Sequence, residues 1–414
     1  MKRFTIITVL SFFVLLLFTS LSVFAGKEEV KQEAVEEIST EGLDFIEDTF
    51  PPLYAGKPFA GQEITITTMS GWACWMPASE RIPEFEEMTG IKVKQALKTY
   101  EELPSLTLIA LTQKEGKYDV IGLQPYAKGP FPYLRPLTDR IKKVWGSIEE
   151  MEDWYFPPQK DYTYDGEYIG VAFHANNMIL YYRKELFENS TERRKFKKKF
   201  GYELTPPKTI NQLNDIATFF TRPPEMYGLT ANWGPKMSLQ AWLDYYMAST
   251  GNGWVDNNFR STFKEDKNRE IAIKISKWQQ DSIYKYEFVN KDAITFLTGH
   301  VADFFMGGKA AMAYGWLSDY WPRMRDDPAV KERIGEVGAI EFPSWASDNK
   351  THGAWASWWW MGIPKDSKHP DAAWEFIKWV LNEDQQIPMA RDGGQLPPVK
   401  DLAYKTSVDP GGIN

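Results

Sequence analysis

The stretch that runs from EITITTM (Glu63–Met69) to DVIGL (Asp119–Leu123) alternates strand-like with helix-like segments, and this order decides the fold. Glu63–Met69 is rich in β-branched residues at alternating positions, which is typical of a strand. Ala78–Met88 and Tyr100–Lys114 carry apolar residues at helical spacing, and Ile91–Val93 between them is a second short strand. A β-α-β-α-β order predicts a mostly parallel sheet that helices cover on both faces.

The same two patterns continue along the rest of the chain. Tyr168–Tyr182 is a long, mostly apolar strand of the kind that can pass from one domain into another. Residues 206–320 are largely helical in pattern, with Thr209 as a cap before INQLNDIATFF. Trp355–Met361 is another apolar crossing segment, and DAAWEFIKWVL (Asp371–Leu381) is an amphipathic helix. We therefore expect an α/β protein of two domains.

Residues 1–25 have the pattern of an export signal. Lys2 and Arg3 precede the apolar run Phe4–Phe18, and Val23-Phe24-Ala25 forms an A-x-A-like cleavage site. The alternative is a retained anchor, because Phe4–Phe24 is close to the roughly 20 residues that a spanning helix needs. The Thr and Ser residues within the run favour the signal peptide, so we expect a periplasmic or extracellular protein.

Composition narrows the classes of partner. Glu and Asp outnumber Lys in residues 26–57, which predicts a solvated linker with folded structure beginning near Gly61. The formal net charge of −8 argues against nucleic acid as a partner. Cys74 is the single cysteine, so no intramolecular disulfide forms. Aromatic residues make up 15% of the chain and include 17 tryptophans, which fits either a Trp-rich core or a surface that grips a flat, hydroxyl-rich ligand.

Six segments between about residues 60 and 400 together resemble the bacterial extracellular solute-binding proteins of the maltose-binding type, the receptors of ABC sugar importers. In chain order they are FEEMTGIKV (Phe85–Val93), KYDVI (Lys117–Ile121), LRPLTD (Leu134–Asp139), DGEYIG with LYYRKELF (within Asp165–Phe187), GGKAAM (Gly307–Met312) and SKHPDAAWEF (Ser367–Phe376). Tyr118 stands where the family commonly has Pro. Each motif alone is weak, and their common order carries the resemblance.

The resemblance implies a periplasmic-binding-protein-like fold, with two α/β lobes of mostly parallel sheets joined by crossing hinge strands. The N-lobe would hold residues 58–172 plus 355–405, and the C-lobe residues 175–350. Family members usually continue for several helices past the segment like Gly393–Pro398, whereas this chain ends at Asn414. The C-lobe is therefore expected to be incomplete, or differently finished, at 406–414.

Binding a sugar in water requires flat aromatic surfaces for its C–H faces and fixed polar groups for its hydroxyls. Such groups belong in the loops at the carboxyl ends of parallel strands. The candidate ligand-binding residues are Trp72, Trp75, Gln124, Tyr126, Asn176, Trp233, Trp316, Trp358 and Arg391. By resemblance, Trp316 occupies the position of the family's aromatic platform in the C-lobe.

Each candidate has a purely structural alternative. Trp72 and Trp75 follow the first strand, where a tryptophan can also cap the sheet edge. Asn176 lies at the first crossing, where the backbone could equally satisfy its amide. Arg391 could hold vicinal hydroxyls or be an ordinary surface arginine.

The resemblance implies a non-enzymatic, monomeric receptor without a cofactor, whose partners are a carbohydrate and a membrane permease. An exported glycoside hydrolase is the main alternative, and it requires two carboxylates at a controlled separation. A metal receptor is a further alternative, but four scattered histidines and one cysteine make no ligand cluster. A structural or adhesive module is the remaining one.

Overall fold

A computed structural model describes residues 40–46, 49–71, 75–124, 127–155, 162–234, 237–251, 260–296, 298–316, 320, 323–324, 327–343, 345, 356–394 and 397–400. The predicted signal segment 1–25 and half of the acidic linker 26–57 lie outside these ranges. Among the helices described, none is long and apolar enough to cross a membrane.

Ten strands are described. They are β1 (Glu63–Thr67), β2 (Lys92–Gln95), β3 (Val120–Leu123), β4 (Thr163–Tyr164), β5 (Glu167–Tyr168), β6 (Val171–Arg183), β7 (Tyr227–Ala231), β8 (Ala310–Trp316), β9 (Val337–Ile340) and β10 (Ala356–Gly362).

Fourteen α-helices are described alongside them. They are α1 (Met76–Glu80), α2 (Ile82–Thr89), α3 (Leu103–Gln113), α4 (Thr138–Trp145), α5 (Ile148–Trp154), α6 (Lys184–Glu188), α7 (Ser190–Phe200), α8 (Ile210–Phe220), α9 (Met237–Thr250), α10 (Asp266–Tyr284), α11 (Thr298–Met306), α12 (Pro328–Ile334), α13 (Pro370–Leu381) and α14 (Glu383–Arg391).

Eight of the strands form one sheet. Seven of them follow one another in the order β2-β1-β3-β10-β6-β8-β7, and β9 pairs with β6 off this path. The β1–β2, β1–β3 and β7–β8 pairs are parallel, as the β-α-β order predicts. Strands β6 and β10 pair antiparallel with each other and with their other neighbours. The sheet is therefore more mixed than predicted, because the two crossing segments run against one another.

Strand β6 contributes to three hydrophobic cores, and its Tyr181 joins the third of them with Val301 and Phe305 of α11. Up to Phe173 it packs into a core that also holds Ile64, Phe85 and Trp360. From Met178 onward it packs into a core built by α8, α9 and α10 against β7 and β8. The predicted α/β class with two lobes is confirmed, and β6 passes between the lobes.

Two local predictions from the sequence need correction. Folded structure begins before Gly61, because Leu53, Tyr54 and Phe59 are all buried in the first core. The single helix expected over Ala78–Met88 is two helices, α1 and α2, which break at Arg81. Pro83 has no backbone N–H to donate to the preceding turn, so one continuous helix cannot pass through it. The cap on α8 is confirmed, since the Thr209 hydroxyl accepts from Gln212 N at 3.2 Å.

Candidate functional site

The carboxyl ends of strands from both lobes approach the same part of β6. On the first side, Leu123 at the end of β3 pairs with Trp360, and Trp360 pairs with Ala172 of β6. On the second side, Trp316 at the end of β8 pairs with Met178 of β6. Met178 lies six positions after Ala172 along the strand, or about 20 Å of chain. We call residues 173–178 of β6 the interlobe boundary.

Gln124 follows β3 directly and is 1% exposed. Its side-chain Nε2 donates to the Tyr100 carbonyl at 3.2 Å, and its backbone carbonyl accepts from the Trp360 indole at 3.1 Å. These bonds fix the side chain and leave Oε1 without a hydrogen-bond partner among the described residues. Thr68, which directly follows β1, has a buried hydroxyl oxygen that also has no hydrogen-bond partner among the described residues. Buried acceptors without partners are rare in proteins, so this edge is suited to a ligand that supplies hydrogens.

The crossing strands place Asn176 and Trp358 at the interlobe boundary. Asn176 is 6% exposed and pairs in register with Ser357 of β10. Trp358 is half-buried, and its carbonyl accepts from the Tyr162 hydroxyl at 2.7 Å. Both residues therefore lie where the strands pass from one lobe to the other, as the sequence predicts.

His174 lies in the same stretch and is fully buried. Its ring stacks on Trp359 at a centroid distance of 6.0 Å and meets Phe173 edge-on at 4.7 Å. Burial lowers the pKa of His174 to about 3, although a hydrogen bond with the Ala175 backbone acts in the opposite direction. The ring is therefore neutral near pH 7 and behaves as part of the packing.

On the C-lobe side, β7 and β8 run in parallel and end level with one another. Ala231 of β7 pairs with Tyr314 of β8, so Trp233 and Trp316 each follow that pair by two residues. Trp316 is 8% exposed, and Trp233 is 6% exposed and packs edge-on against Trp278 at 5.6 Å. Two indoles thus lie at the carboxyl edge of this half of the sheet.

Two further polar residues at this edge were missed by the sequence analysis. Asn232 follows β7 and is 1% exposed, and its Oδ1 has no hydrogen-bond partner within the described ranges. Asp244 on α9 is 2% exposed, and one of its oxygens accepts from the Tyr314 hydroxyl at 3.4 Å. Burial raises the pKa of the Asp244 carboxyl well above its usual range, against a smaller lowering by that hydrogen bond. An aspartate inside a helix gives no signal of this in the sequence, because burial of the helix face decides it.

Other candidates are placed away from this edge or lie outside the described residues. Trp75 is 2% exposed, donates its indole N–H to Gln95 at 3.1 Å and packs edge-on against Phe173. That position favours the structural alternative. Arg391 is exposed at the end of α14 and forms a two-pronged ion pair with Asp392, at 2.9 Å to each oxygen. Trp72 and Tyr126 lie outside the described residues.

The part of the chain that the structure describes holds no group of three or more His, Cys, Asp or Glu side chains arranged to bind a metal ion. The polar groups at the strand ends are instead amides, hydroxyls and one buried carboxyl. Together with indoles, they can hold a molecule that has both apolar faces and hydrogen-bonding groups.

Comparison with known proteins places this fold in context. The family model described as "Bacterial extracellular solute-binding protein" matches residues 80–409. Among solved structures, maltose-bound MalE3 of T. maritima matches with a TM-score of 0.68 at 20% identity, covering 84% of this chain and 85% of that one. An ABC transporter solute-binding protein of Agrobacterium radiobacter K84 in complex with ribitol matches with a TM-score of 0.66 at 25% identity, covering 84% of each chain. A solute-binding protein of Thermotoga lettingae TMO bound with α-D-tagatose gives 0.67 at 19% identity, again covering 84% of each.

Proposed function

The chain belongs to the bacterial extracellular solute-binding protein family, and from that premise we propose that it is the carbohydrate-binding receptor of an ABC importer. It captures a sugar or polyol between its two lobes and delivers the cargo unchanged to a membrane permease. The structures that it resembles include proteins in complex with maltose, ribitol and tagatose, which supports a polyhydroxyl cargo.

The convergence of strand ends on the interlobe boundary is the observation that carries this proposal. Gln124 comes from the N-lobe, Trp316 from the C-lobe, and Asn176 and Trp358 from the strands between them. A ligand that contacts all four must touch both lobes at once. In open α/β sheets, the carboxyl ends of the strands are where ligands bind.

The mechanism that we propose is capture followed by lobe closure. The proposed lobes are residues 58–172 plus 355–405 and residues 175–350, with β6 and β10 as the hinge strands. A cargo that contacts both lobes binds the closed state more tightly than the open state, and this difference in affinity drives closure. The permease then recognises the closed arrangement, and no covalent step is required.

The location and assembly state belong to the same proposal. Residues 1–25 would direct export, so that the mature protein acts in the periplasm or outside the cell as a monomer. A glycoside hydrolase remains the alternative for an exported protein that binds carbohydrate, and the fate of the sugar separates the two.

The test is a thermal-shift screen of the protein from Gly26 onward against maltose, ribitol, tagatose, mannobiose and a wider panel of neutral sugars. A ligand at a hundred times its dissociation constant adds about 2.7 kcal/mol to the free energy of unfolding, which is easily detected. We expect a shift with one class of sugar, and recovery of that sugar intact. Cleavage of the sugar would instead support the hydrolase.

Truncation of Trp316 to Ala is the companion variant. We expect it to reduce the sugar-induced shift sharply, because it removes a flat surface at the interlobe boundary. Trp154→Ala is the matched control, since Trp154 packs against Phe50 in the segment before β1 at a centroid distance of 4.9 Å. Equal loss of the shift in both variants would count against the proposed site.

A further inference from the structure

Asp244 is a buried carboxyl that the capture mechanism above does not use. It lies on α9, is 2% exposed, and forms no ion pair with any described cation. One oxygen accepts from the Tyr314 hydroxyl at 3.4 Å, and the other, Oδ1, has no hydrogen-bond partner among the described residues. Leaving a buried polar atom unpaired is costly, so such an atom in a folded protein calls for a partner.

The position of Asp244 connects it with the carboxyl edge of the C-lobe strands. Tyr314 precedes Trp316 by two residues on β8, so the side chains of both leave the strand on the same face. Tyr314 also pairs with Ala231, the residue before Asn232. Asp244 Oδ1 and Asn232 Oδ1, both unpartnered, thus belong to the same group of residues as Trp233 and Trp316.

We propose that Asp244 contacts the cargo directly through a hydrogen bond between its unpartnered Oδ1 and a hydroxyl group of the sugar. This contact makes the C-lobe half of the site selective against anionic sugars. This inference rests on the proposed carbohydrate function. A neutral sugar supplies hydroxyl groups that can pair with both unpartnered oxygens. The atoms of Asp244 and Asn232 without partners are acceptor oxygens, and no described cation pairs with Asp244. An anionic sugar would therefore bury its charge here without a partner, which is costly.

The aromatic surroundings support a cargo contact over an ion-pairing role. Tyr245 and Tyr314 pack with ring centroids 4.9 Å apart, and Phe342 stacks on Tyr245 at 4.3 Å. Burial in this setting raises the pKa of the Asp244 carboxyl, which favours its protonated form. An uncharged carboxyl can both donate and accept, which suits a sugar hydroxyl.

The test compares Asp244→Ala with Tyr314→Phe by calorimetric titration. The probe is whichever of maltose, ribitol, tagatose and mannobiose stabilises the wild-type protein most. If Asp244 contacts the sugar, Asp244→Ala weakens binding at least tenfold, whereas Tyr314→Phe, which removes only the internal hydrogen bond, changes it less than threefold. Equal losses in the two variants would show that Asp244 acts only by holding Tyr314, and unchanged binding in Asp244→Ala would remove it from the site altogether.

Selectivity is tested with matched neutral and carboxylate probes, namely ribitol against ribonate and maltose against maltobionate. We expect the wild-type protein to disfavour the anion at least tenfold, and Asp244→Asn, which keeps the shape of the side chain, to narrow that ratio. Asp266→Asn, at an exposed position on α10, is the matched control. An anion that binds wild-type protein as tightly as its neutral partner would overturn the selectivity. Failure of all four neutral sugars to bind would instead overturn the carbohydrate function itself.

Discussion

At the scale of single residues, His174 at the interlobe boundary makes the stability of the folded protein sensitive to acid. The imidazole is fully buried between Phe173 and Trp359, and burial lowers its pKa to about 3 from an ordinary value near 6.5. A depressed pKa means that the unfolded chain binds the proton more readily than the folded one. The stabilising contribution is therefore complete above about pH 6.5 and is lost as the pH falls toward 3.

We predict that His174→Gln flattens the acid side of the stability profile. Between pH 6.5 and 4, the wild-type protein should lose up to about 1.4 kcal/mol of unfolding free energy per pH unit more than the variant does, because the glutamine does not titrate. Urea unfolding at a series of pH values measures this difference. His300→Gln is the control, since His300 is exposed. Parallel profiles for the wild-type protein and His174→Gln would contradict the prediction.

The candidate site could be predicted where position along the chain decides it, and not where packing does. Gln124 follows β3 directly and Trp316 ends β8, so the order of elements places both at the carboxyl edges. Trp75 also follows a strand, yet α1 begins immediately after it and packs its ring into the core. Asp244 was missed for the converse reason, because nothing in a helical pattern shows which polar side chain the neighbouring elements will bury.

At the scale of elements, α13 holds the segment before β1 onto the N-lobe through a buried ion pair. Lys378 and Glu375 are 0% and 2% exposed and form a salt bridge one turn apart. The Glu375 carboxylate also accepts from Tyr54 N at 3.0 Å, and the Lys378 ammonium donates to the Pro52 carbonyl at 2.6 Å and lies 4.3 Å from the centre of the Tyr54 ring. Burial raises the pKa of Glu375 and lowers the pKa of Lys378, while their mutual attraction opposes both shifts.

We predict that Lys378→Met destabilises the protein by about 3–5 kcal/mol, because it leaves a buried carboxylate without its cation. The double variant Glu375→Gln/Lys378→Met should lose less, since an amide costs less to bury than an unpaired charge. Chemical denaturation of the single and double variants measures both values.

The control for this pair is Lys274→Met, which breaks an exposed pair with Glu270 on α10 and should have little effect. The single variant Glu375→Gln completes the comparison. If the double variant loses as much free energy of unfolding as the two single variants lose in sum, the two charges do not depend on one another. In that case the segment before β1 would be held by its apolar contacts alone.

The elements themselves were mostly predictable because their periodicity is local. The amphipathic pattern over Asp371–Leu381 gives α13 to within one residue, and the Thr209 cap gives the start of α8. The burial of Leu53 and Tyr54 was not predictable, because their segment is held by α13, more than 300 positions later in the chain. The acidic composition indicated a solvated linker, but contacts with residues distant in sequence bury the part of it that lies next to α13.

At the scale of the whole molecule, β6 links the hydrophobic cores on either side of its middle. The core that ends at Phe173 and the core that begins at Met178 are joined through β6, and β10 pairs with β6 over Ala356–Met361. The ladder between these strands shifts register between Trp359 and Trp360, which places an irregularity beside Phe173. Bulges bend and twist a strand locally, so this is a natural place for the lobes to move relative to one another.

We predict that cargo binding makes the protein more compact, since closure follows from contacts with both lobes. Small-angle X-ray scattering of the wild-type protein, with and without the sugar that gives the largest thermal shift, should show a smaller radius of gyration in the bound state. A sugar from the same panel that gives no thermal shift is the control for solvent contrast. Trp316→Ala, assayed at a concentration that saturates its weakened site, should close less completely, because the C-lobe contributes fewer contacts to the closed state. If the scattering of the wild-type protein does not change when its site is saturated with sugar, closure is contradicted. The interlobe boundary would then be a fixed pocket, and the importer would have to recognise something other than the relative position of the lobes.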